Sequence, residues 1–411
     1  MSYSNTRRLI VLAVLFLAWL VGFADRVAIS TAIIPITSEF KLDPKAAGYV
    51  LSAFYVTYSL MQIAGGWMAN RFGARNILIF SVLCWSLFTG LTGLTWSFAS
   101  LIVVRLLFGM GEGGFAPASS VAIVQVFPVA ERARAKSFLI SSTLLGGAIG
   151  TGVVSATIYH FGWRPTYHVL GVIGIALAAV LWIAMRPTAR LTTFKPVRSL
   201  SSGLVDALRD STVRKTSLIW FMQNAGALGL QAWMPMYLMK THHIDLVQIG
   251  MIATLPYVAA FVAVNGVGWL LDKVGAGCER MFMAVSSICG VASMAMMMAT
   301  DSLFVLTVCW VAAALSYNFV YATVFSIPLK RMPEAMVGNA TGLINFGGQL
   351  AGAVAPAAMG WLISHFHGSF VPAFGFLLGT GVVAFLVAMT WRPTEYVEDG
   401  LGPDGGVACR G

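Results

Sequence analysis

The chain has 411 residues, 58% of them hydrophobic and only 10% charged, and a formal net charge of +10. Soluble domains carry about 25% charged residues, so this composition excludes an ordinary soluble enzyme or binding module. The basic excess gathers on one side of the predicted topology, which makes it a membrane-orientation signal and argues against a nucleic-acid partner.

Twelve apolar segments follow one another: 9–35, 47–69, 76–95, 98–125, 137–160, 166–186, 213–239, 248–271, 280–300, 303–326, 336–363 and 371–391. Each approaches the ~20 residues that cross a hydrocarbon core of ~30 Å. The expected fold is an all-α membrane protein, with twelve transmembrane helices in two pseudo-symmetric six-helix bundles. The 42 glycines fit close helix packing in lipid.

The first segment is long and has no small-residue cleavage site after it, so it reads as a retained helix rather than a signal peptide. It carries Asp25 and Arg26 in its outer half. A charge at the bilayer centre costs at least ~2.5 kcal/mol on insertion scales, so a charge kept there is by default a functional candidate. The second segment carries Tyr58 and Gln62 and runs into Gly66-Trp67-Met68-Ala69-Asn70-Arg71-Phe72-Gly73.

The fourth segment carries Arg105 and Glu112, two helical turns and about 10 Å apart along one face. Glu112 falls near mid-membrane among Gly111, Gly113 and Gly114. That run lacks the Lys-Ser/Thr and the strand context of a phosphate-binding loop. Helices one and four run in opposite directions, so Arg105 is expected to meet Asp25, while Glu112 has no base beside it in sequence. Burial without a cation favours the protonated acid, and a nearby Arg favours the carboxylate. Glu112 is therefore the expected proton carrier. Asp25 is expected to stay ionised until a substrate anion competes for an arginine. The alternative for all four charges is a fixed structural ion-pair network.

The longest hydrophilic stretch, 187–212, divides the chain. It predicts a six-helix bundle over 1–186, a cytoplasmic linker over 187–212, a second bundle over 213–391 and a cytoplasmic tail over 392–411. The halves echo each other: Gly268-Trp269-Leu270-Leu271-Asp272-Lys273-Val274-Gly275 repeats the 66–73 block 202 positions later. Gly146-Gly147 and Gly347-Gly348 lie 201 positions apart. Such parallel repeats build transporters whose site lies between two rocking halves.

The second half has no charge inside its helices and offers neutral polar groups instead: Gln223, Asn224, Asn265, Ser316, Tyr317, Asn318, Tyr321, Asn345 and Gln349. Asn345 and Gln349, four apart, share a helix face. For most of these, a helix–helix hydrogen bond is the expected role. Most of the 26 Lys and Arg fall on the side of the N-terminus, with only Lys41, Lys45, Arg164 and Lys240 opposite. That places both termini in the cytoplasm. The five cysteines match no metal or redox spacing and read as reduced thiols. No metal site, cofactor motif or ATPase cassette is found, so the expected energy source is an ion gradient.

The block 66–75 resembles the loop 2–3 signature of the major facilitator superfamily. A narrower likeness runs through Ser52-Ala53-Phe54, Tyr58, Gln62, Arg105-Leu106-Leu107-Phe108-Gly109-Met110-Gly111-Glu112-Gly113, Pro117, Glu131-Arg132-Ala133-Arg134-Ala135 and Phe161-Gly162-Trp163-Arg164. Together these resemble the anion:cation symporter branch, which includes bacterial sugar-acid transporters and covers nearly the whole chain. The resemblance implies proton and carboxylate chemistry at Asp25, Arg26, Arg105 and Glu112, and binding roles for Tyr58, Gln62 and Asn345. It also implies a cytoplasmic latch involving Asn70, Arg71, Arg75 and Asp272. Here the sequence departs from the pattern, because Asn70 stands where the family has Asp and carries no charge to pair with arginines.

The leading expectation is a proton-coupled symporter, not an enzyme, importing a small organic anion such as a sugar acid by alternating access. Its partners would be the anion, protons and the lipid bilayer of a plasma (inner) membrane, and it would work as a monomer. The alternative is a proton-antiport exporter of a drug or metabolite on the same scaffold.

Overall fold

A computed structural model describes residues 5–186, 207–274, 278–332 and 334–392. Its first half contains α1 (Asn5–Phe40), α2 (Pro44–Phe72), α3 (Ala74–Thr92), α4 (Phe98–Glu112), α5 (Phe115–Val126), α6 (Val129–Phe161) and α7 (Trp163–Ala184). The second contains α8 (Ser211–His242), α9 (Leu246–Val274), α10 (Glu279–Ala299), α11 (Leu303–Arg331), α12 (Glu334–His365) and α13 (Val371–Thr390). With α4 and α5 forming one crossing, the described residues give the twelve helices expected, most of them as long as or longer than their apolar segments. The linker 187–206 and the tail from 393 onward lie outside the described residues.

Among the described residues, ten crossings are long and apolar enough to span a membrane by composition alone. The other two, α2 and α8, have the length, at 29 and 32 residues, but their windows are more polar. That polarity is put to use, since both helices face the space between the halves.

Local chemistry sets the helix ends. Asp43 caps α2 by accepting from the Ala46 N–H at 2.8 Å, with Pro44 at the first turn where its missing N–H costs nothing. Ser97 and Ser100 form a reciprocal cap at the start of α4. A single residue, Gly73, joins α2 to α3 at φ +87°, a conformation open to glycine at little steric cost.

Among the described residues, three large apolar cores organise the helices, one shared between the halves and two confined to one half each. The shared core combines Ile29, Ile33 and Ile36 of α1 and Val50 of α2 with Trp233 of α8, Ile249 of α9 and Met359 and Ile363 of α12. It seals the halves together at the end where α1 finishes. At the opposite end, where α1 begins, the buried apolar residues form one core from the first half and another from the second. That end, which carries most of the basic residues, is the open one.

The seal follows the internal repeat. Gly48 on α2 and Gly250 on α9 are 202 positions apart. A Cβ on Gly48 would lie 2.7 Å from the Pro356 carbonyl oxygen of α12, and one on Gly250 2.7 Å from the Thr151 carbonyl oxygen of α6. Tyr55 and Tyr257 occupy another pair of repeat-related positions. The Tyr55 ring lies against Gly352 of the second half, and the Tyr257 ring against Gly147 of the first. Thr151 and Thr254 add a cross-half hydroxyl contact at 3.2 Å.

Cys84, Cys289 and Cys309 are free thiols. Cys278 is disulfide-bonded, which corrects the expectation of a reduced thiol at that position.

Candidate functional site: a basic cavity between the halves

Glycines bring the charged residues together. A Cβ on Gly109 would fall 2.1 Å from the Phe54 carbonyl oxygen, and one on Gly113 2.5 Å from Met61 Cβ, so α4 packs against α2 at backbone distance. The crossing breaks at Gly113–Gly114, immediately after Glu112. Glu112 is thereby held, 3% exposed, beside α1.

The pairing differs from the sequence expectation. Glu112 Oε1 accepts a hydrogen bond from Arg26 Nη2 in a buried ion pair, so it does have a base. Asp25 does not pair with Arg105; its Oδ2 accepts from Thr89 Oγ1 of α3 at 3.2 Å. Arg105 forms no ion pair among the described residues and lies over the rings of Phe54 and Phe108, at 5.3 and 5.1 Å. The physical reason is azimuth. Neighbours on a helix point about 100° apart, so Arg26 turns toward α4 and the cavity while Asp25 turns toward α3. All four charges still share one neighbourhood, with Asp25, Arg26 and Arg105 each within electrostatic reach of Glu112.

The cluster keeps spare hydrogen-bonding capacity. Asp25 Oδ1, Glu112 Oε2, Arg26 Nε and Arg105 Nε are buried without a partner among the described residues. Buried polar atoms are rarely left so, and such atoms call for a functional explanation. A salt bridge of this kind gives little net stability, because desolvation offsets its Coulombic gain.

A cavity of about 1470 Å³ lies between the halves and reaches the basic end. Arg26 is the member of the quartet that lines it; Asp25, Arg105 and Glu112 stand behind. The Arg26 guanidinium lies 4.3 Å from the Tyr58 ring centroid and 5.1 Å from those of Phe23 and Phe54. Such aromatic faces hold a cation in place without neutralising it.

Tyr58, Gln62, Asn345 and Gln349 also line the cavity. Asn345 donates to Gln62 Oε1 across the two halves at 3.3 Å, and Gln62 Nε2 has no partner among the described residues. Gln223, Tyr317 and Tyr321 face the same space. Asn224 and Asn318 reach its wall but are engaged elsewhere: Asn224 donates to the Gly348 carbonyl, and Asn318 to the Ala314 carbonyl one turn back. Ser316 likewise bonds its own helix through Ala312. Trp19, Phe23 and Tyr55 are lining residues, whereas Trp233 is buried in the shared core and donates to the Pro356 carbonyl.

Among the gating candidates, Arg71 lies at the cavity's basic end, 5.3 Å from the Trp67 ring centroid. Arg75 turns away and donates to the Trp182 carbonyl of α7. The side chains of Asn70 and Asp272, and that of Asn265, lie outside the described residues.

Sequence reasoning missed Lys136. It was grouped with the basic residues outside the membrane, yet it lies within the apolar span Arg134–Phe161 and lines the cavity. The signal was its place at the end of the 131–136 run, two residues inside the apolar span that begins at Arg134.

The chain matches the Major Facilitator Superfamily over residues 14–356. It is 31% identical over 410 residues to the "Probable sulfoacetate transporter SauU" of Cupriavidus necator, covering 93% of this chain and 94% of that one. It is 28% identical over 394 residues to the hexuronate transporter of Bacillus subtilis, covering 92% of each. The D-galactonate transporter of Escherichia coli is 27% identical over 415 residues, covering 92% of this chain and 94% of that one. In fold, the chain is similar to a bacterial homolog of the human lysosomal transporter Spinster in an inward-facing, unoccupied conformation. That likeness has a TM-score of 0.80 at 19% identity, over 95% of this chain and 100% of that one. With two six-helix halves around one cavity and the family match over most of its length, this chain belongs to the Major Facilitator Superfamily and is a membrane transporter, not an enzyme.

Proposed function

We propose that the chain is a proton-coupled symporter that takes up a small organic anion, a hydroxylated carboxylate of the sugar-acid kind, by alternating access. Arg26 is the observation that carries this reading. It faces the cavity, and its ionic partner Glu112 is buried behind it. An entering carboxylate competes with Glu112 for the guanidinium. Glu112, left buried without its cation, then favours the protonated form. Anion and proton binding rise together, which is the requirement for symport. Asp25, buried with one oxygen unpartnered, is a second proton-coupling candidate.

Hydroxyls on the substrate are matched by Tyr58 and Gln62 from one half and Asn345 and Gln349 from the other. Arg105 supports the charge of the group from behind. Relatives that carry hexuronate and galactonate fit the same chemistry. With the basic end in the cytoplasm of a cell with this protein in its plasma (inner) membrane, the cavity faces inward and both termini are cytoplasmic. The bundles 1–186 and 213–391 are the rocking units, joined by the linker 187–212, with the tail 392–411 beyond. The working unit on this reading is a monomer. Asn70, Arg71, Arg75 and Asp272 are the gating candidates, with the energy drawn from the proton gradient and no cofactor.

A second reading, proton-antiport export of a drug or metabolite, is favoured by the size of the cavity and by its aromatic lining of Trp19, Phe23, Trp220 and Tyr257. Its volume exceeds the roughly 300–1,000 Å³ of most small-molecule sites. Uptake of radiolabelled sugar acids, dicarboxylates and aromatic acids into proteoliposomes separates the two. Accumulation that needs an inward proton gradient and collapses with a protonophore supports symport. Proton flux opposite to substrate flux supports export and sinks the symport reading.

A further inference from the structure

Three cations line the cavity, namely Arg26, Arg71 and Lys136, and no Asp or Glu lines it among the described residues. Arg26 is neutralised from behind by Glu112. Arg71 is exposed at the basic end. Lys136 is different, because it sits inside the span with no carboxylate partner among the described residues.

Lys136 Nζ meets only neutral groups among the described residues. Nζ donates to Ser119 Oγ at 3.1 Å and to the Ala116 carbonyl at 3.4 Å, both on α5. It also lies 4.8 Å from the Trp19 ring centroid. These partners are neutral, and an ammonium has three donors, so one remains for a ligand. An uncompensated cation in an apolar span is costly, and an anion entering the cavity would supply what the protein does not.

Trp19, Phe23 and Arg26 fall at i, i+4 and i+7 on α1, so they share one face of the helix. Lys136 over Trp19 and Arg26 beside Phe23 therefore mark two stations on one cavity wall, roughly 10 Å apart along the helix axis before side-chain reach is counted. A monoanion satisfies one station. A small molecule with an acid group at each end satisfies both.

We propose that Lys136, supported by Ser119 and Trp19, is a second anion subsite, and that the preferred substrate is a dianion whose two acid groups are shared between Arg26 and Lys136. This deepens the organic-anion reading and rests on it.

The test uses the full chain in proteoliposomes and matched pairs that differ in the second acid group: D-glucarate against D-gluconate, succinate against butyrate, and sulfoacetate against acetate. Exchange is measured as the concentration that half-inhibits uptake of whichever labelled anion the wild type takes. In wild type, the dianion of an active pair should be at least tenfold more potent than its monoanion. Lys136→Met should erase that preference, raising the dianion value at least tenfold while the monoanion moves no more than threefold, and Lys136→Arg should restore it. Equal potency within every active pair in wild type overturns the proposal and needs no variant, so a folding defect in Lys136→Met does not shelter it. Equal losses for both members of a pair in a folded Lys136→Met protein overturn it as well, reducing Lys136 to a general field effect. Monoanion uptake without dianion preference leaves the organic-anion reading standing and removes only the subsite. Failure of every acid in exchange-competent vesicles removes both.

Discussion

The two halves of the cavity wall solve different problems. The first half contributes charge: the Arg26–Glu112 pair, with Asp25 and Arg105 behind it, all buried and with several polar atoms unpartnered among the described residues. The second contributes neutral amides and hydroxyls, several of which are already bonded to the helix backbone, as at Asn224 and Asn318. A neutral amide can bind or release a ligand at small electrostatic cost, whereas a buried ion pair cannot lose one member without the other changing state. On the proposed reading, coupling belongs to the first half and recognition to both.

Substitutions can break that contrast, the strongest first. Glu112→Gln should abolish concentrative uptake while leaving exchange of internal for external substrate. Uptake driven by an imposed proton gradient, set beside counterflow without one, measures both; a Gln variant that still concentrates substrate would remove Glu112 from the coupling step. Arg26→Gln should weaken binding about 10- to 150-fold, since a hydrogen bond to a charged group contributes about 1.5–3 kcal/mol. It should also destabilise the protein by about 3–5 kcal/mol by stranding Glu112. The Arg26→Gln/Glu112→Gln double variant should recover much of the melting temperature but none of the coupling, and thermal unfolding of the four proteins of that cycle reads the pair directly.

In the second half, Asn345→Ala should raise the apparent KM about 2- to 10-fold, the worth of one neutral hydrogen bond of about 0.5–1.5 kcal/mol. Proton dependence should be unchanged; a loss of coupling here would overturn the division between the halves. The smallest effect is expected at the seal, where Thr254→Ala removes a cross-half hydroxyl contact worth about 1 kcal/mol or less. Its readout is faster alkylation of a cysteine placed near Asp43, with transport affinity preserved.

Much of this architecture was legible from periodicity and repetition. The apolar segments predicted twelve crossings because hydropathy reports on lipid contact directly. The 202-residue echo between 66–73 and 268–275 predicted two halves, and the Gly48/Gly250 and Tyr55/Tyr257 pairs follow the same offset. The pairing within the charged cluster was not legible. The opposite directions of helices one and four suggested Asp25 with Arg105, but the direction a side chain points depends on how α1 is rotated and on glycine contacts that draw α4 onto α2. Lys136 was lost for a related reason: a basic run at a membrane edge looks like a topology signal until the helix start is known. Which amides are free to bind was equally hidden, because an Asn bonded to a carbonyl one turn back has the same sequence as one facing a ligand.

The shared core at the closed end has a thermodynamic consequence. Ile33, Trp233, Met359 and their neighbours must part whenever that end opens, and water must wet surfaces that were dry. Exposure of apolar surface carries a positive heat-capacity change, as it does in unfolding. The turnover of this carrier should therefore show a curved Eyring plot, steepest when the opening of that end limits the rate. Osmolytes excluded from apolar surface should slow it. In that sense each transport cycle dissolves and re-forms a small piece of hydrophobic core, and temperature becomes a probe of gating as informative as any mutation.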